Sequence, residues 1–272
     1  MASETHVFTV GASLLANLAR DVPEVAGWAR ASPDDPRQEE CERSARLGSR
    51  LFDAAIEALR RDPRGYSAEL NAFHGFMGLR GVDPREAEVV LLSTDTGVGW
   101  FCASAIRGHL EERGVRVAKL VRVHGLGMGY IYFEEGLANL LDAVASEVSR
   151  ARGRGMRVYL NATGGFKPES AFAVMAAFMF GADAAYYIHE SFRDVVVLYP
   201  FPSTLDVEMA RQLLALEGKD VGEEIRVRHE ALGTLSLKDL EERGLVRVEE
   251  GRVALRRWVK ELLKAMGVRT EG

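Results

Sequence analysis

Short apolar runs alternate along the chain with longer stretches whose apolar residues recur every three to four positions, the pattern of a parallel sheet covered by helices on both faces. His6 to Val10 reads as a first strand ending in Gly11, followed by a helical stretch from Ser13 to Arg20. Glu88 to Leu92 (EVVLL) reads as a second strand running into Ser93-Thr94-Asp95-Thr96, with a helix from about Val98 to Arg113. Val115 to Val123 is a third strand. The helix expected over Glu134 to Arg152 carries Leu137, Leu140, Leu141, Val144 and Val148 at helical spacing, and Met156 to Leu160 is a fourth strand. A further helix starts near Pro168, where the missing N–H costs nothing and Glu169 lies near the positive end of the helix dipole. Ala184 to Ile188 and Val195 to Leu198 are late strands, and Pro23 to Arg37 reads as a loop before a helix from about Glu40 to Arg61.

Pro200, Pro202 and Ser203 mark a break, so the expected division is into residues 1–203 and 204–272. Beyond it the pattern gives a helix over Asp206 to Leu216 and another over Ser236 to Arg243. A strand over Leu245 to Val248, the Glu250-Gly251 turn, a strand over Arg252 to Leu255 and a helix to about Met266 follow. That order is the order of a winged helix. Hydrophobic residues at 47% and charged residues at 28% of 272 describe a folded globular chain and exclude collagen-like and wholly disordered classes. The longest apolar run, Ala171 to Ala182, falls short of the ~20 residues that cross a bilayer, and Met1 to Thr5 holds no basic segment before an apolar one. Neither membrane nor secretion is expected, and a cytoplasmic location is. Cys41 and Cys102 offer neither a disulfide framework nor metal-ligand spacings, so zinc and iron–sulfur chemistry drop out, and no cofactor is expected.

Net charge of −5 argues against a generally basic nucleic-acid binder, so an anionic ligand must be held locally. From Val207 to Gly272 there are 13 Lys and Arg against 13 Asp and Glu, and the helix that would enter a groove carries Asp239, Glu241 and Glu242 beside Lys238 and Arg243. DNA binding by the C-terminal domain is therefore not expected.

In an open parallel sheet, ligands bind at the carboxyl ends of the strands. Three loops there gather small and hydroxyl residues: Gly11-Ala12-Ser13-Leu14-Leu15, Ser93-Thr94-Asp95-Thr96-Gly97, and Asn161-Ala162-Thr163-Gly164-Gly165-Phe166-Lys167. Glycines admit an anion close to backbone amides, and the helix start after each loop favours negative charge, so a phosphate-bearing ligand is expected. Gly165-Phe166-Lys167 lacks the spacing and the following Ser or Thr of a P-loop, and the first strand is followed by GASLLA rather than GxGxxG, which excludes the usual ATP and dinucleotide cradles. Gly125-Leu126-Gly127-Met128-Gly129 places Tyr130 where a third motif glycine would fall and reads as a loop. Several of these residues have a structural role open to them as well. Ser13 fits a helix N-cap, Ser93, Asp95 and Thr96 fit caps, and Asn161 and Thr163 fit a turn. Arg122 fits a solvated cation. Lys167 fits function better, because a cation at a helix start opposes the dipole.

The segments NATGGFKPESAF, YYIHESF and VVVLYPFP, with GASLLANL near the start and STDTGVG after the second strand, closely resemble the CRISPR-associated Rossmann-fold (CARF) proteins of type III systems. The resemblance runs from His6 to about Ser203, and the winged-helix-like tail extends it. It implies a Rossmann-like parallel sheet, a homodimer, and binding of a cyclic oligoadenylate, mostly cyclic tetra-adenylate, across the two-fold axis. Many members carry a HEPN ribonuclease domain with arginine and histidine a few residues apart, and no His in this chain has an Arg five residues before it. Members with only a sensor and a winged helix are ring nucleases, so the resemblance implies a metal-independent phosphodiesterase that cuts the ring to linear di-adenylate with a 2′,3′-cyclic phosphate. It implies Lys167 and Ser13 as the catalytic pair. It implies ligand contacts at Gly11, Ala12, Leu14, Ser93, Asp95, Thr96, Arg122, Asn161, Thr163, Gly164, Gly165 and Phe166. The alternatives are a winged-helix transcription regulator that responds to the ring and a binder that does not hydrolyse it.

Overall fold

The computed structural model describes residues 3–126, 132–165, 167–188, 194–200, 207–229, 233–265 and 268. The chain divides into two compact units, Met1–Val197 and Leu198–Gly272. The first is built on a six-stranded sheet: β1 (Glu4–Val10), β2 (Ala87–Thr94), β3 (Arg116–Val123), β4 (Arg157–Asn161), β5 (Ala184–Ile188) and β6 (Val195–Leu198), in the order β3-β2-β1-β4-β5-β6. The β1/β2, β1/β4, β2/β3 and β4/β5 pairings are all parallel, with Val7 facing Val90 on one side and Leu160 on the other. This is the α/β, Rossmann-like sheet that the alternating pattern implies.

Parallel strands of this kind are joined by helices that cross over one face or the other. α1 (Ser13–Leu18), α4 (Arg50–Arg61), α6 (Ala68–Arg80) and α7 (Gly97–Glu112) serve one layer, and α8 (Phe133–Gly153) and α9 (Lys167–Met179) the other. Val7, Val90 and Leu160 close one core with Val144, Val148 and Ala173. On the opposite face Phe8 meets Phe73 with ring centroids 5.3 Å apart, and Phe101 meets both Trp28 and Phe52 edge-on. Central β1 is buried along its whole length, so each polar side chain on it needs a partner. His6 Nδ1 lies 2.8 Å from the Tyr186 hydroxyl and its Nε2 3.0 Å from Glu4 Oε1, while the Glu4 carboxylate also takes Arg80 Nη1 at 2.7 Å.

Two stretches depart from the expectation drawn from the sequence. The single helix over Glu40 to Arg61 is two, α3 (Arg37–Ser44) and α4, parted by a turn in which Gly48 has φ +83°. The loop expected over Pro23 to Arg37 contains α2 (Ala26–Ala29). Residues 62–86, to which the pattern assigned nothing, form α5 (Pro63–Tyr66) and the thirteen-residue α6. α6 is capped at its start, where the Ser67 hydroxyl accepts from Leu70 N at 3.2 Å.

The second unit is α10 (Val207–Leu214), the antiparallel pair β7 (Arg226–His229) and β8 (Gly233–Ser236), α11 (Leu237–Glu242), the hairpin of β9 (Val246–Glu249) and β10 (Arg252–Leu255), and α12 (Arg257–Ala265). Its core gathers Met209, Leu213, Leu235, Leu240, Val253 and Val259. The β9–β10 turn puts Glu250 at φ 50° and Gly251 at φ 77°, the two positive angles of a type I′ hairpin. The β7–β8 pair was not expected. Pro202 and Ser203, on which with Pro200 the expected domain break rests, and Asp206, the expected start of the next helix, lie outside the described residues. Among the described residues no helix is long and apolar enough to cross a membrane.

Burial holds three histidines of the first unit, His6, His74 and His109, below the ordinary imidazole value, and His109 is at about 4. Desolvation is the leading cause in each, assisted at His109 by Arg113. The unfolded chain protonates these rings near pH 6.5 while the folded chain does not, so stability present above 6.5 is lost as pH falls toward 4. For His109 alone the loss between pH 7 and pH 5 is about 2 kcal/mol. Urea midpoints measured at both pH values for wild type and His109→Leu check this: the variant should show the smaller drop.

Candidate functional site

With the strand order reversing between β1 and β4, the crevice of a doubly wound sheet opens at their carboxyl ends. There the loop after β1 and the loop after β4 lie in backbone contact. A Cβ on Gly164 would stand 2.4 Å from Gly11 N and 2.5 Å from Thr9 O, and a Cβ on Gly11 would stand 3.0 Å from Gly165 N. Thr9 ties the two together, its hydroxyl donating to Gly164 O at 2.7 Å. The approach of protein to protein accounts for a glycine at position 164. Gly165, at φ +98°, turns the chain into α9.

Beneath both loops sits the carboxylate of Glu69, at the start of α6 and 1% exposed. Its Oε1 accepts from Gly11 N at 2.9 Å, and its Oε2 accepts from the hydroxyls of Ser13 and Ser67, each at 2.8 Å. The Glu69 backbone carbonyl takes the amide of Asn161 at 2.9 Å. One residue thus fixes the ends of β1, β4 and α6. Ser13 is not the N-cap of its helix, a place held by Ala12; its hydroxyl donates to Glu69 and accepts from Ala68 N at 3.0 Å. A hydroxyl carries two acceptor positions, so one remains.

Above the carboxyl ends of β1 and β2 a cavity of about 320 Å³ opens, at the small end of the ~300–1,000 Å³ common for ligand pockets. Its walls are mainly apolar: Val10 and Ala12 from the β1 end, Val98 from α7, and Ala29, Ala31 and Pro33 from the segment around α2 and α3. The polar residues along its lining are Gln38, Thr94, Thr96 and Glu169. The two threonine hydroxyls are 2.8 Å apart, and Thr96 caps α7 by accepting from Gly99 N at 3.0 Å. The next helical amide, Val98 N, is taken by Gln38 Oε1 at 3.0 Å. The start of α7 is thus occupied by the protein's own groups, with Thr96 in the capping role its sequence position offers.

Gln38 also pins the roof of the cavity, its amide donating to Ala31 O at 3.2 Å and Ser32 O at 3.1 Å. α3 rests so closely on the start of α7 that a Cβ on Gly97 would stand 1.8 Å from Gln38 O. Gly97→Ala should force α3 off α7 and cost about 2 kcal/mol by overpacking, read as a lowered urea midpoint.

Of the residues the resemblance marks, Gly11, Ala12, Thr96 and Gly165 line the cavity, and Lys167 is exposed two residues beyond Gly165 as the first residue of α9. Others are used differently. Leu14 is fully buried in the core, and Ser93, 1% exposed, donates to the Thr94 carbonyl. Asn161 is fully buried, its side-chain oxygen accepting from the Thr163 hydroxyl at 2.6 Å, which is the turn-forming role. Asp95 Oδ2 accepts from Gly125 N at 2.9 Å and so ties the β2 loop to the end of β3. Arg122 donates to Glu42 Oε1 at 2.9 Å with its guanidinium 4.3 Å from the Trp100 ring centroid, away from the cavity lining. Phe166 and the loop segment Gly127 to Tyr130 lie outside the described residues.

Thr94, Gln38, Glu69 and Glu169 were not among the sequence-marked site residues. For Glu69 a signal existed: with Phe73 and Phe76 it forms an i, i+4, i+7 stripe, so a carboxylate stands on the buried face of an apolar helix. For Gln38 and the roof over the cavity no local pattern points to the site.

Over 98% of this chain and 65% of the other, the fold is compared with the crystal structure of protein VC1899 from Vibrio cholerae, at 11% identity and a TM-score of 0.36. This chain spans less than two thirds of that protein's length. Residues 64–201, half of the chain, match the family model described as CRISPR-associated protein (Cas_APE2256). That stretch includes Glu69, the Ser93 to Gly97 loop, the Asn161 to Lys167 loop and Glu169, while the loop after β1 and the roof around α2 and α3 lie before it. The chain belongs to the CRISPR-associated Cas_APE2256 family.

Proposed function

We propose that this CRISPR-associated protein is a ring nuclease: it binds cyclic tetra-adenylate across a symmetric homodimer and opens the ring without a metal, ending a type III defence signal. The observation that carries the reading is the position of Lys167, an exposed ammonium two residues beyond a glycine that lines the cavity at the switch point of the sheet. An ammonium at a helix start works against the helix dipole and gains the fold little, whereas it suits a developing phosphorane charge.

The chemistry needs no outside nucleophile. A ribose 2′-oxygen attacks the adjacent phosphorus in line, the P–O5′ bond breaks, and the proton lost from the 2′-hydroxyl is matched by one gained at the leaving 5′-oxygen. The products are a 2′,3′-cyclic phosphate and a free 5′-hydroxyl. Lys167 stabilises the charge on the phosphorane. Ser13, held by Glu69 and Ala68 N, offers its remaining acceptor position to the 2′-hydroxyl and so sets the line of attack. A two-fold dimer supplies two such sets, so the ring leaves as two linear di-adenylates.

The test is incubation of the pure protein with cyclic tetra-adenylate in EDTA, followed by chromatography. Conversion to di-adenylate 2′,3′-cyclic phosphate supports the reading. Recovery of intact ring together with tight binding assigns the protein to the non-hydrolytic binders, and salt-sensitive, sequence-selective DNA binding assigns it to the regulators.

A further inference from the structure

A second cavity, of about 460 Å³, opens between α4, α7 and the edge strand β3, and none of the residues that line it lines the cavity at the switch point. Phe52 and Ile56 from α4, Trp100 from α7 and Leu120 from β3 give it apolar walls. Leu47 stands at its border 76% exposed, in the turn where Gly48 parts α3 from α4. An apolar cavity of this size with a leucine left in water beside it has the make-up of a ligand site. The Trp100 ring is held by the Arg122 guanidinium, 4.3 Å from its centroid and tied to Glu42 at 2.9 Å, so the cavity has a fixed flat surface in its wall.

The charges at the border narrow the occupant. Glu111 is taken by Arg107 at 2.9 Å and Glu112 by Arg60 at 2.6 Å, whereas Arg46 is exposed and has no ion-pair partner among the described residues. One unmatched cation beside two carboxylates suits a single negative charge and disfavours a polyanion. An extended peptide is disfavoured as well. β3 carries exposed Arg116 and Lys119, and its pairing with β2 slips by one residue at Ala118, two features that keep an edge strand from accepting another strand. We infer that this cavity binds a small aromatic monoanion: the flat body packs against Trp100, Ile56 and Leu120, and the anionic end pairs with the guanidinium of Arg46. The site stands apart from the ring cavity and does not depend on the proposed function.

The experiment titrates the protein with 8-anilinonaphthalene-1-sulfonate and with N-phenyl-1-naphthylamine, two fluorescent probes that differ by the sulfonate alone. Both should bind wild type, with emission excited through tryptophan, and the quantity read is the affinity ratio of the sulfonate to the neutral probe. Arg46→Ala should lower that ratio about threefold, the size of one exposed charge contact, and Arg46→Glu should lower it further. Arg46 is exposed, so both variants keep the fold. Ser104→Trp places a large ring in the lining and should weaken both probes by at least about tenfold. A ratio unchanged in Arg46→Glu overturns the inference, and so does wild-type affinity for both probes in Ser104→Trp, which places them elsewhere on the surface. Displacement of the sulfonate probe by cyclic tetra-adenylate overturns it by placing the probe in the first cavity, and no binding of either probe by wild type overturns it outright. If circular dichroism shows that Ser104→Trp is unfolded, Leu47→Asp, at a side chain already in water, takes its place: it should weaken the sulfonate more than the neutral probe, and equal weakening or none overturns the assignment.

Discussion

Lys167→Ala is expected to slow ring opening by roughly a hundredfold to a thousandfold while leaving the fold and most of the binding in place, the size of effect seen when one preorganised donor to a developing oxyanion is removed. The split between rate and affinity is the informative part. Lys167 is exposed and has no ion-pair partner among the described residues, so the melting temperature of the variant should lie close to wild type. Affinity for the intact ring should fall by a smaller factor, since an exposed ammonium screened by water is worth little in the ground state. Its value rises when charge builds on the phosphorus in a site that excludes water. Single-turnover chromatography with protein in excess measures the rate, and titration with the ring measures the affinity. A rate within tenfold of wild type removes Lys167 from the mechanism. Loss of affinity as large as the loss of rate makes it a binding residue only. Lys167→Arg restores charge but not the compact point geometry, and should recover the affinity more fully than the rate.

The sheet was legible because its strands are continuous apolar runs separated by helices at regular spacing, and β1, β2, β4 and β5 each fall within a few residues of the positions the pattern gives. The helical layer between Pro23 and Ala87 was not. There Pro33, Pro36 and Gly48 punctuate short helices whose partners are distant in sequence, and Gln38 has meaning only once the start of α7 is beside it. The site divides along the same line. Loops after strands announced themselves by glycine and hydroxyl content, but the reason for Gly164 is a backbone amide and carbonyl some 150 residues away, which no local window contains. Ser13 shows the limit from the other side. Its position before a helical run suggests a cap, yet the amide it accepts from belongs to α6 rather than to its own helix. Glu69 could have been found, since a carboxylate in phase with Phe73 and Phe76 is a polar group on an apolar stripe and must be satisfied by something buried.

That carboxylate carries the second large effect. Glu69→Ala should destabilise the first unit by about 4 kcal/mol, because Gly11 N and the hydroxyls of Ser13 and Ser67 all lose their acceptor in a place 1% exposed. For a unit of this size the loss corresponds to a melting temperature lower by roughly 10 °C. Glu69→Gln should cost less, about 1 to 2 kcal/mol, since the amide oxygen can still serve Gly11 N and the hydroxyls can turn toward other acceptors. The same ordering should hold for the site. With Gly11 and Ser13 released, the loop after β1 no longer packs in register against Gly164, and ring affinity should fall in both variants, further in the alanine than in the glutamine. Ser13→Ala provides the contrast: it removes one donor to Glu69 and the acceptor of Ala68 N but leaves the Gly11 contact to Glu69, so it should lower the rate of ring opening with a stability loss of about 1 to 2 kcal/mol. Scanning calorimetry on the three variants separates these contributions. A Glu69→Ala protein that melts within 2 °C of wild type means the loops are held by their own backbone contacts, and the burial of Glu69 then has to be explained by the activity instead.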